Sequence, residues 1–278
     1  MPSYPDKKDS QVEDKFEIET SRNKYLLTRR ISPSSIMLYI GGPTTYCLEC
    51  QIENSSEGFL SKIAYDEFCS LTGRFERGID TKSILSVMMA YIRENYPHVQ
   101  ILHFNDFSTR ECASKISVDL PSFYYVLYNQ TWYMKNMNAW FKNAKDKELF
   151  DLRSKQFQEK KQTMSWNDFD KYVNVKHPFA EEEMRTMFEE AKTWTEYFTN
   201  LRNRMDDMSA FCEYLSSWIT EFVNRVVGLR FSSYDFLMAV NNSRLEKTDY
   251  KIITTGGRLS RVWTRRRPRR RYKNVDLR

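Results

Sequence analysis

A loop with two glycines leads into a predicted helix over residues 72–96, "TGRFERGIDTKSILSVMMAYIRENY". A loop of this kind can bind a phosphate, because free backbone amides and the positive end of the helix dipole both face an anion. Arg74 and Arg77 add positive charge beside Gly78. Asp80, in contrast, places a carboxylate where it can cap the first-turn amides and repel a phosphate. These residues favour a loop that changes the chain direction over a loop that binds phosphate.

The elements around this loop predict a sheet layered with helices. Residues 34–42, 44–53 and 58–70 are strand-like and are joined by short polar turns, a pattern typical of an antiparallel meander. A strand over 98–108 and a segment over 118–141 that begins as a helix follow the glycine loop. We therefore expect an α+β fold with a mixed sheet.

This order of elements resembles the GCN5-related N-acetyltransferase (GNAT) fold over about residues 34–141. The matching segments are "RFERGIDTKSILSVMMAYI", "VQILHFNDFS" and "FYYVLYNQTWY". Together they are also similar to the degenerate GNAT-like proteins that large DNA viruses of eukaryotes encode. The resemblance implies a GNAT-like mixed sheet, acetyl-CoA as the cofactor of an active member and N-acyl transfer as its reaction.

The residues that the family uses for chemistry are only partly present. The family's loop reads Gln or Arg, two residues, Gly, any residue, then Gly or Ala, and here Phe75, Gly78 and Asp80 occupy the three defined positions. If the protein is active, the resemblance implies Arg74, Arg77 and Gly78 as cofactor-binding residues. We expect instead a GNAT-like scaffold without a cofactor and without enzymatic activity, because fold alone does not determine function.

The family's second recurrent group is a tyrosine that can protonate the leaving thiolate. Tyr125 is the nearest match and would be the catalytic acid of an active enzyme, with Tyr124 as the second choice. Asn129 stands where the family has glycine.

The C-terminal half predicts a long helix over 180–227. Apolar residues recur there in alternating steps of four and three, which is a heptad pattern. We name them the seam: Met187, Ala191, Trp194, Phe198, Leu201, Met205, Met208, Cys212, Leu215, Ile219, Phe222 and Val226. We expect the seam to pack on its own domain in preference to a second copy.

The cysteine and histidine residues show no spacing typical of a metal site, and no metal is predicted. Five cysteines without a framework spacing favour a reducing compartment, and Cys47 and Cys50 form a lone CxxC motif in a strand pattern. His103 is predicted on a sheet face, and Asp106, Ser108 and Glu111 are interpreted as loop polar residues.

Charge is concentrated at the C-terminus. Residues 251–278 contain 11 Lys and Arg against one acid, a net charge of +10, whereas the other 250 residues carry 32 bases and 36 acids, or −4. We expect this tail to bind a polyanion such as a nucleic acid, or an acidic protein surface, because guanidinium groups pair with phosphates and stack on bases. The predicted contact residues are Arg258, Arg261, Arg265, Arg266, Arg267, Arg269, Arg270, Arg271 and Lys273.

The chain as a whole divides into four predicted segments. These are a polar N-terminal arm over 1–24, a GNAT-like α/β domain over 25–145, a helical region over 146–248, and a hairpin with the arginine-rich tail over 249–278. Aromatic residues at 15% exclude a disordered chain, and no apolar run is long enough to predict a membrane span.

Three functions follow as alternatives. The first is a structural protein that assembles with other proteins, in particular a minor capsid or core protein of a virion, made in the host cytoplasm or nucleus. The second is an acyl-CoA-dependent N-acyltransferase. The third is a nucleic-acid-binding protein outside any particle.

Overall fold

A computed structural model describes residues 12–254, except residues 54, 65, 77, 113, 206, 243 and 245–247. The strands are β1 (Val12–Thr20), β2 (Lys24–Ile31), β3 (Ser35–Gly41), β4 (Tyr46–Glu53), β5 (Glu57–Ile63), β6 (Ile101–Asn105), β7 (Thr109–Glu111), β8 (Ser117–Asp119), β9 (Trp140–Phe141), β10 (Asp235–Ala239) and β11 (Tyr250–Thr254). The helices are α1 (Ile79–Asn95), α2 (Leu120–Tyr128), α3 (Trp132–Met137), α4 (Ala144–Thr163), α5 (Trp166–Asp170), α6 (Glu181–Glu190), α7 (Trp194–Arg204), α8 (Met208–Ser216) and α9 (Ile219–Val227). The predicted α+β class is confirmed.

One large mixed sheet organises these elements. Its strand order is β11-β1-β2-β3-β4-β5-β6-β10-β9, and β7 pairs with β8 in a separate hairpin. The pairing of β5 with β6 is parallel, whereas the other neighbours in the large sheet run antiparallel. The predicted meander corresponds to β3, β4 and β5, with β5 ending at Ile63 rather than at residue 70.

The two faces of the sheet differ in burial. Side chains on one face, such as Tyr25, Leu38 and Leu102, are completely buried, and α1 lies on this face because its Asp80 contacts Tyr25. Most side chains of the opposite face are exposed or half-buried. We name it the open face, and its members include Glu13, Arg30, Tyr39, Gln51, Phe59, His103, Leu237, Trp140 and Ile253.

The helices after β8 share one hydrophobic core with the sheet. Phe104 of β6 contacts Tyr133 of α3, with ring centroids 4.7 Å apart, and Phe141 of β9 contacts Phe150 of α4 at 5.1 Å. The chain then returns through β10, which lies between β6 and β9. The predicted helical region over 146–248 thus also contributes one strand, β10, to the sheet.

Both ends of the described chain also join the sheet. Residues 12–20 form β1, although the sequence predicted a polar arm over 1–24. β1 pairs with β2 on one side and with β11 on the other. The rest of the predicted hairpin after Thr254 and the whole arginine-rich tail lie outside the described residues.

The prediction of one continuous helix over 180–227 is wrong. The segment consists of α6, α7, α8 and α9, and side-chain caps begin two of them. Thr193 accepts a hydrogen bond from the Glu196 amide, and Asp207 accepts one from the Ser209 amide at 2.8 Å. These caps satisfy amides that would otherwise lack partners at each helix start, so a break becomes favourable.

The seam is nevertheless largely buried, as predicted. Trp194, Phe198, Leu201, Leu215 and Phe222 have no exposed surface, because the short helices fold back on one another and on α4. Trp194 contacts Phe157 of α4, with ring centroids 5.8 Å apart. The seam therefore fills the core of its own chain.

We expect the substitution Phe198→Ala to lower the free energy of unfolding by about 3–5 kcal/mol, since it removes a fully buried ring. Asn200→Ala, at an exposed position of the same helix, should change it by no more than about 0.5 kcal/mol. Urea unfolding followed by circular dichroism measures both values. Similar effects of the two substitutions would contradict the packing described.

Candidate functional site

The loop before α1 is organised by the carboxylate of Asp80, which is completely buried. Oδ2 accepts hydrogen bonds from the Glu76 amide at 2.6 Å and from Asn23 Nδ2 at 3.2 Å. Oδ1 accepts from Arg22 Nε at 3.2 Å and lies 3.5 Å from the Tyr25 hydroxyl. The negative charge at this helix start is therefore supplied by the protein itself.

The neighbours of Asp80 are electrostatically suited to hold it. Arg22 bridges Asp80 and Glu76, with Nη2 2.7 Å from Glu76 Oε2, and its hydrogen bond to Asp80 raises the Arg22 pKa. Burial, followed by the nearby Asp80 carboxylate, raises the pKa of Tyr25, so its hydroxyl keeps its proton and can donate. These contacts join the β1–β2 turn to the loop before α1, and they give both oxygens of the Asp80 carboxylate a hydrogen-bond donor.

The other loop residues also have structural roles. Phe75 is buried and meets the Tyr25 ring edge-on, so it anchors the loop in the core. Gly78 has a φ of 85°, which favours glycine, whereas a Cβ there would meet no atom within 4 Å. Its amide donates to Thr81 Oγ1 at 3.3 Å. The glycine therefore serves the backbone conformation, and no close approach of another group requires it.

The contacts of Asp80 described above do not include Arg74 or Gly78, the two predicted cofactor residues that the structure describes. Arg74 is exposed, and Arg77 lies outside the described residues. Asp80 occupies the mouth of the helix where the resemblance placed a pyrophosphate. The loop therefore changes the chain direction, and the Asp80 carboxylate fills the position at the helix start where an anion would bind.

Tyr125, the candidate catalytic acid, lies in the core. It has no exposed surface, its hydroxyl donates to Ser154 Oγ at 3.2 Å, and its ring contacts Phe150, Phe157 and Phe231. Burial raises its pKa, so the hydroxyl holds its proton. A substrate cannot contact a group enclosed in this way, and the geometry favours a structural role. Tyr124 is only half-buried, and its ring packs beside Tyr128.

Cysteine pairing differs from the expectation. Among the described residues, Cys47 forms a disulfide with Cys69, and Cys112 forms one with Cys212. Cys50 is unpaired, and burial raises the pKa of its thiol to about 12. Structural disulfides are typical of oxidising environments, whereas the sequence predicted a reducing compartment.

The open face contains a groove that sequence reasoning did not identify. We name it the acidic groove; its volume is about 320 Å³, and its lining includes Glu53, Glu57, Phe59, His103, Lys142 and Asp235. His103 lies on a sheet face, as predicted, and its Nε2 is 2.6 Å from Glu57 Oε2. Glu53 accepts from Gln51, and Asp235 accepts from Asn105.

The acidic groove offers charge and an aromatic surface at one place. Within the described part of the chain, its three carboxylates form no ion pair with Lys or Arg, although Lys142 lies at the rim. Phe59 exposes 43% of its surface there. Carboxylates beside an exposed ring suit a guanidinium group, which can pair and stack at once.

Comparison with known proteins gives no relative for this chain. No protein-family model, no curated protein and no solved structure matches it. The GNAT resemblance therefore stays a prediction. None of the helices among the described residues combines the length and apolar composition that a membrane span requires.

We expect Asp80→Asn to lower the free energy of unfolding by about 2–3 kcal/mol, because an NH2 donor replaces one of the two acceptor oxygens and leaves some of the donors on Asn23, Tyr25 and Glu76 without an acceptor. Glu76→Gln is the matched control, since it removes an exposed partner of the same Arg22 and should cost less than about 1 kcal/mol. Chemical denaturation tests both variants. Equal losses would show that Asp80 does not organise the loop.

Asp106 should make stability depend on pH. It is buried, Ser108 donates to its Oδ1, and Oδ2 has no partner among the described residues. Burial raises its pKa from 3.8 to about 7, with a smaller contribution from Asp119. Because the folded state then binds a proton that the unfolded state has released, stability falls as pH rises between these values.

The measurement is the free energy of unfolding of wild type and Asp106→Asn from about pH 4 to about pH 8. We expect the stability of wild type to fall relative to the variant by a few kcal/mol at most as pH rises. Parallel curves would show that Asp106 is ionised in the folded protein throughout this range.

Proposed function

We propose that this protein is a non-enzymatic structural protein of an assembly, of the virion type that the resemblance implies, and that its tail binds a polyanion. The observation on which the non-enzymatic part mainly rests is the buried Asp80 carboxylate at the start of α1. A bound pyrophosphate would have to displace this carboxylate from Arg22, Asn23 and the Glu76 amide, or lie beside it at a cost.

The position of Tyr125 supports the same proposal. An acyl transferase of the family that the chain resembles needs an accessible acid near the leaving thiolate, whereas Tyr125 is enclosed by three aromatic rings. Proton transfer requires a group within hydrogen-bonding reach of the substrate. The burial of Tyr125 thus supports a non-enzymatic role, as the Asp80 carboxylate does.

Cross-links support a structural role. The Cys112–Cys212 disulfide joins the end of the β7 strand to α8 across a sequence separation of 100 residues. Cross-links that close long loops restrict the unfolded chain and can contribute about 4–5 kcal/mol. A protein built into a particle benefits from such restraint outside a reducing compartment.

The charge distribution supports the choice of partner. A body of net charge −4 gains little from a polyanion, whereas six arginines between 265 and 271 can neutralise several phosphates. Contacts of this type do not distinguish base sequences. The partner is therefore a polyanion bound without sequence preference, with other proteins of the assembly as neighbours.

Acetyl-CoA should give no binding heat in isothermal titration at concentrations up to about 1 mM, which is near the upper limit of ordinary substrate affinities. Asp80 supplies the reason, because it already holds the donors at the helix start. A Kd in the micromolar range that Gly78→Ala weakens would contradict the proposal. It would also restore Arg74, Arg77 and Gly78 as a cofactor site.

Binding of a DNA duplex should depend on the tail and on salt. In the full chain, replacement of Arg265, Arg266, Arg270 and Arg271 by Gln should reduce the slope of log affinity against log salt by about 3–4, since each phosphate contributes about 0.9. The matched control replaces four exposed lysines of α4, Lys145, Lys147, Lys155 and Lys160, by Gln. Fluorescence anisotropy measures both slopes. Equal slopes would exclude the tail as the polyanion-binding element.

A further inference from the structure

Within the described residues, the open face of the sheet carries both charge and exposed apolar side chains. Phe59 exposes 43% of its surface, and Trp140 and Ile253 expose 37% each. The acidic groove lies on this face between β4, β5, β6 and β10. A face with these properties favours an occupant that is basic and can stack on a ring.

We propose that the occupant is the chain's own arginine-rich segment 265–271, which docks on the acidic groove and is released when a polyanion binds. This docking goes beyond the proposed function, since the tail then has an internal binding site besides its external partner. The charges are complementary, because the groove contributes Glu53, Glu57 and Asp235 and the segment contributes six arginines.

Two of the groove carboxylates, Glu53 and Asp235, are available for this contact, whereas Glu57 lies 2.6 Å from His103 Nε2. Elsewhere on the open face, Glu13 is paired with Arg30 at 2.7 Å, and Glu19 lies 3.6 Å from Lys24. In contrast, the hydrogen bonds that the described residues give to Glu53 and Asp235 come from the amides of Gln51 and Asn105. Because amide donors are neutral, they do not cancel the charge of the carboxylate. A guanidinium group therefore gains more interaction energy at Glu53 or Asp235 than at a carboxylate that already has a Lys or Arg partner.

The path of the chain leads toward the groove. β11 ends at Thr254, which is paired with Phe16, and its direction points toward the end of β1 where Val12 lies. Val12 pairs with Ile31, Ile31 with Ile36, Ile36 with Ile52 and Ile52 with Gly58, so these residues form one row across the sheet. Ile52 and Gly58, at the far end of this row, flank the acidic groove. The chain therefore leaves the sheet toward the end that carries Glu53 and Glu57.

The connecting segment is long enough. Five strand spacings of about 4.8 Å separate β11 from β5, and four residues along the strand add about 13 Å, so the direct distance is about 27 Å. Residues 255–264 can span about 33–36 Å when extended. Arg265 and the residues after it can thus reach the groove within one molecule.

The test is limited trypsin digestion of the full chain, with cleavage after the arginines of 265–271 followed by intact-mass spectrometry. The groove variant combines Glu53→Gln, Glu57→Gln and Asp235→Asn, which keep the hydrogen-bond acceptors and remove three charges. The matched control combines Glu181→Gln, Glu182→Gln and Glu190→Gln at exposed positions of α6. Both variants change the net charge of the protein equally.

We expect the groove variant to lose its tail about tenfold faster than wild type, since cleavage follows the undocked fraction, and the control to match wild type. Phe59→Ser should also accelerate cleavage, although it changes no charge. The groove variant should bind a DNA duplex more tightly than the control does, because the tail no longer competes with the groove.

Equal cleavage of the groove variant and the control would overturn the docking. If protection in wild type disappears on strong dilution, the occupant is the tail of a second copy, and docking within one molecule is wrong. If no variant binds DNA while the cleavage rates differ as expected, the docking stands and the polyanion function fails.

Discussion

The buried carboxylate of Asp80 is the constraint on which the rest of this structure depends. It receives the Glu76 amide of the loop and side chains from the β1–β2 turn, so one group fixes α1 against the sheet and shapes the loop before it. A loop that bound phosphate would need those donors for its ligand. The same contacts that stabilise the fold therefore support the proposal that this loop does not bind a cofactor.

The sheet gives the molecule two functional sides. α1 and the helices that follow β8 bury one face, where Phe104, Phe141 and Phe150 connect strands and helices into one core. Most described side chains of the other face are exposed or half-buried, and this face carries the acidic groove. A body of this kind provides rigid contact surfaces on a cross-linked scaffold, which suits a protein whose function is to bind neighbours.

Local sequence patterns predicted many elements of this fold, but they could not predict which strands pair when those strands lie far apart in the sequence. β3, β4 and α1 follow from alternation and helical spacing, and Asp80 was recognisable because a carboxylate at a helix start has local consequences. One break in the seam had a local signal, since Thr193 and Glu196 stand in a Thr-x-x-Glu pattern that is typical of a helix start. The Thr193 hydroxyl accepts from the Glu196 amide, and the Glu196 carboxylate accepts from the Lys192 amide. β1 was missed because charged residues surround Phe16 and Ile18, and the acidic groove because Glu53 and Asp235 meet only after β10 enters the sheet.

Amide hydrogen exchange at Glu76, measured by NMR in the presence and absence of coenzyme A, tests the closed loop most directly. If Asp80 holds this amide in the folded state, it exchanges only through larger unfolding events, and coenzyme A leaves its rate unchanged. An amide that exchanges at the rate of an unprotected loop, or that coenzyme A protects further, would contradict the closed loop and return the anion site to consideration.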